Sequence, residues 1–68
     1  MRLNIDIVTS ERSKRFLDVP DDSTYEDLLR ELGINQETVI ILKDGVPVPL
    51  DITVSKCEIT VLRVVSGG

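Results

Sequence analysis

Reactive chemistry has few places to sit in this 68-residue chain. Histidine is absent and Cys57 is the single cysteine. Cys–His and Ser–His nucleophiles and most zinc, haem and iron–sulfur sites are thereby excluded. What remains is the last stretch, Val64-Val65-Ser66-Gly67-Gly68. Glycine has no Cβ, so the backbone at Gly67 adopts almost any conformation and approaches another surface closely. At Gly68 no side chain shields the carbonyl carbon, which is open to a nucleophile from either side. Two glycines end a chain by chance in about 0.5% of cases at average glycine usage, so chance is a poor reading of the pair, and a cloning remnant or a truncation is the second bland one. Extended, Ser66 to Gly68 reaches about 10 Å, enough to thread a narrow channel while the folded body docks outside. A free carboxylate does not acylate thiols or amines until it is activated. The tail therefore reads as a substrate for a partner enzyme, and no residue of this chain reads as catalytic.

The composition narrows the partners. Eight basic and twelve acidic residues leave a net charge of −4, which disfavours nucleic acid, since phosphate binding needs a clustered basic surface. The one basic run, Arg12, Lys14 and Arg15, reads as a solvated turn. Phe16 and Tyr25 are the only aromatics, too few for a base-stacking platform. No apolar run approaches the ~20 residues of a membrane span and no signal-peptide pattern is present. The expectation is a soluble cytoplasmic protein with no membrane or nucleic-acid partner. A chain this short buries only about 60% of its unfolded surface, so it forms one small domain with an efficient core.

Several elements must hold the tail in place. Arg2 to Val8 alternates with period two, Leu3, Ile5 and Ile7 against Arg2, Asn4 and Asp6, a half-buried strand. Thr9 to Lys14 is turn-like. Arg15 to Val19 is a second strand and hairpin partner, with Leu17 and Val19 inward and Phe16 outward. Ser23 with Glu26 matches a capping box, with Thr24 as the alternative N-cap. Tyr25, Leu28, Leu29 and Leu32 then form one apolar helical stripe. Gly33 suits a left-handed helix end, with Ile34 folding back. After a loop at Asn35–Glu37, Thr38 to Lys43 is a strand ending in the tight turn Asp44-Gly45. Val46–Val48 is a short edge strand, because Pro47 and Pro49 cannot donate to a ladder. Leu50 to Ser55 is irregular, and Cys57 to Val65 is the last strand, with Ile59 and Val61 on one face and Leu62 on the other. One helix stripe and one apolar sheet face must bury each other. The fold expected is an α+β roll in which a mixed sheet of four to five strands wraps one helix, with the last strand central. One domain spans 1–65 and a flexible tail 66–68.

Thr24, Leu28-Leu29, Leu32-Gly33, Val39 to Gly45, the final strand and Gly67-Gly68 together resemble the β-grasp sulfur carriers and ubiquitin-like modifiers over the whole chain. The thiamine-pathway sulfur carrier, the small subunit of molybdopterin synthase and the small archaeal modifier proteins are the members most similar in length and pattern. Two positions depart from the sulfur-carrier branch or fail to mark one. Ser55-Lys56-Cys57 stands where an acidic-glycine turn is common, and Ser66 precedes the glycines. The resemblance implies that a ubiquitin-activating-type enzyme adenylates the carboxylate of Gly68, with Gly67 giving backbone access. Sulfur transfer then makes a thiocarboxylate for molybdopterin, thiamine or tRNA thiolation, and this is the first reading. The alternative is attack by a lysine amine, giving an isopeptide bond and a covalent tag. A third reading is a non-covalent interaction domain. The implied partners are the activating enzyme and, beyond it, a molybdopterin synthase large subunit, a thiazole synthase, a tRNA thiolase or target-protein lysines. ATP, magnesium and zinc belong to those partners, and this chain needs no cofactor. A β-grasp ferredoxin is excluded, since its cluster needs four cysteines.

If Leu3, Ile5, Ile7, Ile41, Ile59 and Val61 face the helix, the opposite sheet face presents Ile40, Leu42, Leu62, Val64 and Phe16. An apolar patch of that kind marks a partner-binding surface. Cys57 shares parity with Ile59 and Val61 and reads as a buried small hydrophobe. Lys14, Lys43 and Lys56 read as ordinary solvated lysines, and Asp44 and Asp51 as turn residues.

Overall fold

The structure, a computed structural model, describes residues 1–64. Period-two alternation builds β1 (Arg2–Val8), which turns through Thr9–Glu11 into β2 (Arg12–Asp18). The helix α1 (Tyr25–Leu32) follows, then a 3₁₀ turn (Gln36–Thr38), β3 (Val39–Lys43), β4 (Val46–Val48) and β5 (Ile59–Arg63). The strands form one sheet in the order β2-β1-β5-β3-β4. β1 and β5 are parallel, and the other pairs are antiparallel. Parallel neighbours need a crossover, and here the chain between them supplies β2, the helix and the β3–β4 hairpin. The mixed five-stranded sheet on one helix, with the last strand in the centre, is the architecture the element order predicts.

Register explains the core. Ile5 lies beside Ile59, and Ile7, Val61, Ile41 and Val48 line up across four strands. Tyr25, Leu28 and Leu29 of α1 join Leu3, Ile5, Ile41, Ile59 and Val61 in one buried cluster. Ile7, Leu17 and Leu32 pack on its rim. Leu17 and Val19 face inward and Phe16 outward, as expected. Val54 is buried too, although its segment was read as irregular.

Several boundaries differ from the expectation, each for a non-local reason. The N-cap is Thr24 and not Ser23: Thr24 Oγ1 accepts from Asp27 N (3.2 Å), and Asp27 Oδ2 accepts from Thr24 N (3.0 Å). Ser23 is occupied elsewhere, because its carbonyl accepts from Val54 N at 2.8 Å while Thr24 bridges Thr53. The segment 50–54 is thus docked on the helix start, where Leu50 O also takes Glu26 N at 3.0 Å. β2 begins at Arg12, three residues before the predicted Arg15, and the basic run lies on a strand instead of a turn. Asn35–Glu37 is not plain loop, since Asn35 caps the 3₁₀ turn through Glu37 N (2.9 Å). β5 starts at Ile59 and not at Cys57, and the predicted strand end at Val65 lies outside the described residues, as does the 66–68 tail.

Two turns use left-handed backbone. Gly33 (φ 73°) ends α1, with Ile34 N donating to Leu29 O at 2.9 Å, a Schellman closure. Asp44 (φ 50°) and Gly45 (φ 85°) form the two-residue turn between β3 and β4, the geometry that matches strand twist. Asp44 Oδ1 also accepts from Glu58 N (3.0 Å), which ties this turn to the start of β5.

Candidate functional site

The reacting end predicted from sequence, Gly67 and Gly68, lies outside the described residues. The structure does show where the chain leaves the sheet. Beyond Arg63 the ladder continues for one more contact, Val64 N to Thr38 O at 2.9 Å. β5 therefore delivers the chain at the end of the sheet, between the start of β3 and the end of β1.

The outer face of the sheet, away from the helix, carries the predicted patch at that same end. Ile40 and Leu62 are direct cross-strand partners, and Leu62 is flanked on its other side by Val8 of β1. With neighbouring strands about 4.8 Å apart, this row is roughly 10 Å wide. Val64 continues the face one step toward the exit and is 54% exposed, and Ile40 is 37% exposed. Leu42 lies in the next row, beside Thr60 and opposite Pro47. Leu42 and Leu62 are half-buried. Four of the five predicted patch residues are thus brought together around the exit point.

Phe16 is not brought there. It is 69% exposed and pairs with Asn4, four residues and about 13 Å along β1 from Val8. Asn4, Asp6 and Lys14 lie between. Val8 was missed, although its parity with Asn4 and Asp6 places it on this face. Asp6 adds a polar feature: its Oδ1 is buried without a hydrogen-bond partner among the described residues, between Lys14 and Thr60 in register.

Cys57 is half-buried and precedes β5, a correction to the buried strand position expected. Its thiol donates to Ser55 O at 3.1 Å and lies 3.8 Å from Tyr25 Oη. Lys14 and Lys56 are exposed and Lys43 is half-buried. Among the described residues no three His, Cys, Asp or Glu side chains group to hold a metal ion. Among the described residues no helix is long and apolar enough to cross a membrane.

A mixed sheet in this order wrapped on a single helix, with an apolar outer face beside the exit of its central strand, is the ubiquitin-like β-grasp fold. The crystal structure of SAMP1 from Haloferax volcanii superposes on the entire chain and is itself entirely covered, with a TM-score of 0.73 at 19% identity. The small archaeal modifier protein 2 family matches residues 1–65, and the chain belongs to it. Small archaeal modifier protein 2 of Haloferax volcanii is 38% identical over 68 residues, all of both chains. An uncharacterized protein of Archaeoglobus fulgidus is 40% identical over the same full span.

Proposed function

We propose that this chain is a ubiquitin-like protein modifier that is joined to lysine side chains through Gly68. The match to the small archaeal modifier protein 2 family over residues 1–65 carries this reading. It favours the covalent tag over the sulfur carrier placed first from sequence alone. In the reaction proposed, a carboxylate oxygen of Gly68 attacks the α-phosphorus of ATP in a ubiquitin-activating-type enzyme, and pyrophosphate leaves. A lysine amine then attacks the carbonyl carbon, AMP leaves, and the amine gives up a proton. ATP and magnesium are the enzyme's, and the chain itself brings no cofactor and no catalytic group.

The chain's own contribution is positional. The Val64–Thr38 hydrogen bond holds β5 to the sheet up to four residues before Gly68, a span of about 14 Å when extended. The face built from Val8, Ile40, Leu62 and Val64 lies beside that exit, so docking there aims the end at the enzyme's active site. Leu42 extends this face. Phe16 does not belong to it. Function in the cytoplasm follows from this reading, since activation needs ATP.

The test is incubation with the activating enzyme, ATP and magnesium, followed by intact mass and denaturing electrophoresis. Lysine-linked species lost on deletion of Gly68 are expected. A mass gain equal to exchanging one oxygen for sulfur, with a sulfur donor present and no lysine adducts, would move the assignment to the sulfur carrier. No Gly68-dependent product under either condition would leave a non-covalent interaction domain.

A further inference from the structure

The basic run Arg12, Lys14 and Arg15 has no part in the reading above, and the structure moves it from a turn to the outer edge strand β2. The hydrogen bonds at both ends of the β1–β2 hairpin define which backbone groups that edge leaves open. Val19 N donates to Met1 O at 2.9 Å and the Met1 amine to Val19 O at 2.7 Å, while Thr9 N donates to Glu11 O at 2.9 Å. Antiparallel pairs alternate between bonded and non-bonded along a ladder. With the one-to-one register between these ends, odd-numbered residues of β2 point their N–H and C=O at β1. Even-numbered ones point theirs outward. The edge therefore presents the unpaired backbone of Arg12, Lys14, Phe16 and Asp18 in succession.

The side chains flanking this edge are exposed from Arg12 to Phe16. The ion pairs among the described residues involve the Met1 amine and Arg30, none of these three cations. Charges on an edge strand also block self-pairing, but that role does not account for three cations within four residues in a chain of net charge −4, while Asp18, the one acid of β2, is paired with the Met1 amine at 3.2 Å. Nor does it account for Phe16, which is 69% exposed on the same edge and works against such blocking.

We infer that β2 is a docking edge for an extended acidic segment of another protein, which adds as an antiparallel sixth strand. This inference does not rest on conjugation through Gly68. Strand addition draws affinity from main-chain hydrogen bonds and selectivity from alternate side chains. The register specifies them. Reading along the added strand, an apolar residue lies opposite Phe16, acids opposite Arg15 and Lys14, a small polar residue opposite Ser13, and a third acid opposite Arg12. Cross-strand neighbours at this spacing pair opposite charges directly. Like-charged edges disfavour a second copy of the chain as the occupant.

The probe is the peptide acetyl-Thr-Val-Glu-Glu-Thr-Glu-Thr-amide, titrated into isotope-labelled protein and followed by amide shifts and hydrogen exchange. Slowed exchange is expected at the amides of Arg12, Lys14 and Phe16. Two N-methylated isomers of equal charge decide the mode. Methylation of the residues opposite Phe16 and Lys14 removes donors aimed at β2 and weakens binding more than about tenfold. Methylation opposite Arg15 and Ser13 removes donors aimed at solvent and changes it less than about twofold. Charge reversal by R12E with K14E weakens binding of the parent peptide by at least about tenfold, in line with loss of paired charges. Equal affinity of the two isomers overturns the proposal, as it would show attraction to any polyanion, nucleic acid included. Absence of binding by the parent peptide overturns it as well. So does concentration-dependent protection of these amides without peptide, which would assign the edge to a second copy.

Discussion

Tyr25 is the chain's only tyrosine, and its side chain is fully buried under the sheet beside Cys57. Burial first, and the contact with the Cys57 thiol second, push its ionisation from 10.0 up to about 12. A raised phenol pKa means that the folded protein keeps a proton that the unfolded chain loses. The associated stability is fully present below pH ~10 and is lost as pH rises toward about 12. Phenolate absorbance, read on this single residue, is expected to stay low through pH ~10 in the folded protein and to rise at that pH in denaturant. Ionisation of the folded protein near 10 would refute the buried placement. Tyr25 was legible from sequence as a core position, because it begins the apolar stripe. Its pairing with Cys57 was not, because the two are 32 residues apart and strand parity gives a residue's face without naming its partner on the helix.

At the scale of the element, the helix start is closed by Thr24 and Asp27 from both sides. Thr24→Ala is expected to cost about 1 kcal/mol in chemical denaturation, whereas Ser23→Ala leaves the cap intact. A larger loss at Ser23 than at Thr24 would contradict the frame. The backbone N–H of Thr24 is the main group holding the Asp27 carboxyl below its ordinary pKa, with Arg30 adding to it. A lowered carboxylate pKa gives stability that is present at neutral pH and is lost as pH falls through the folded value. D27N is therefore expected to flatten the acid limb of the stability profile. Sequence offered two cap frames because Ser23 and Thr24 both satisfy the local rule. The choice is made by Val54 and Thr53, which pair with Ser23 and Thr24 from thirty residues away. β2 was shortened for a related reason. An edge strand with one exposed side and little inward burial has the composition of a turn, and only its seven-residue pairing with β1 reveals it.

Across the whole molecule, the outer face divides into two parts that the sequence had joined. Ile40, Leu62 and Val64 surround the chain's exit from the interior strands, and Phe16 stands on the edge strand β2. The division yields a contrast: Ile40→Glu is expected to reduce kcat/KM for activation about tenfold or more with little change in stability, since the side chain is already 37% exposed. Phe16→Ala leaves activation unchanged and acts on the peptide at β2 instead. Equal effects on activation would rejoin the two surfaces. The architecture itself was legible because helix stripe, strand parity and turn residues all agree. The separation of Phe16 was not, since parity places a residue on a face without saying how far along it.

The parallel pairing of β1 with β5 has a consequence for how the protein comes into being. Its central contact joins the first strand to the last, so most of the sequence must be made before the sheet can close. Such high contact order slows folding, and a nascent chain on the ribosome has no β5 to receive β1 until Arg63 has emerged. The row Val8–Leu62–Ile40 draws on three strands separated by most of the chain. A prematurely terminated product lacks that row altogether. Recognition through this face would then inspect each molecule for completion before its end is activated.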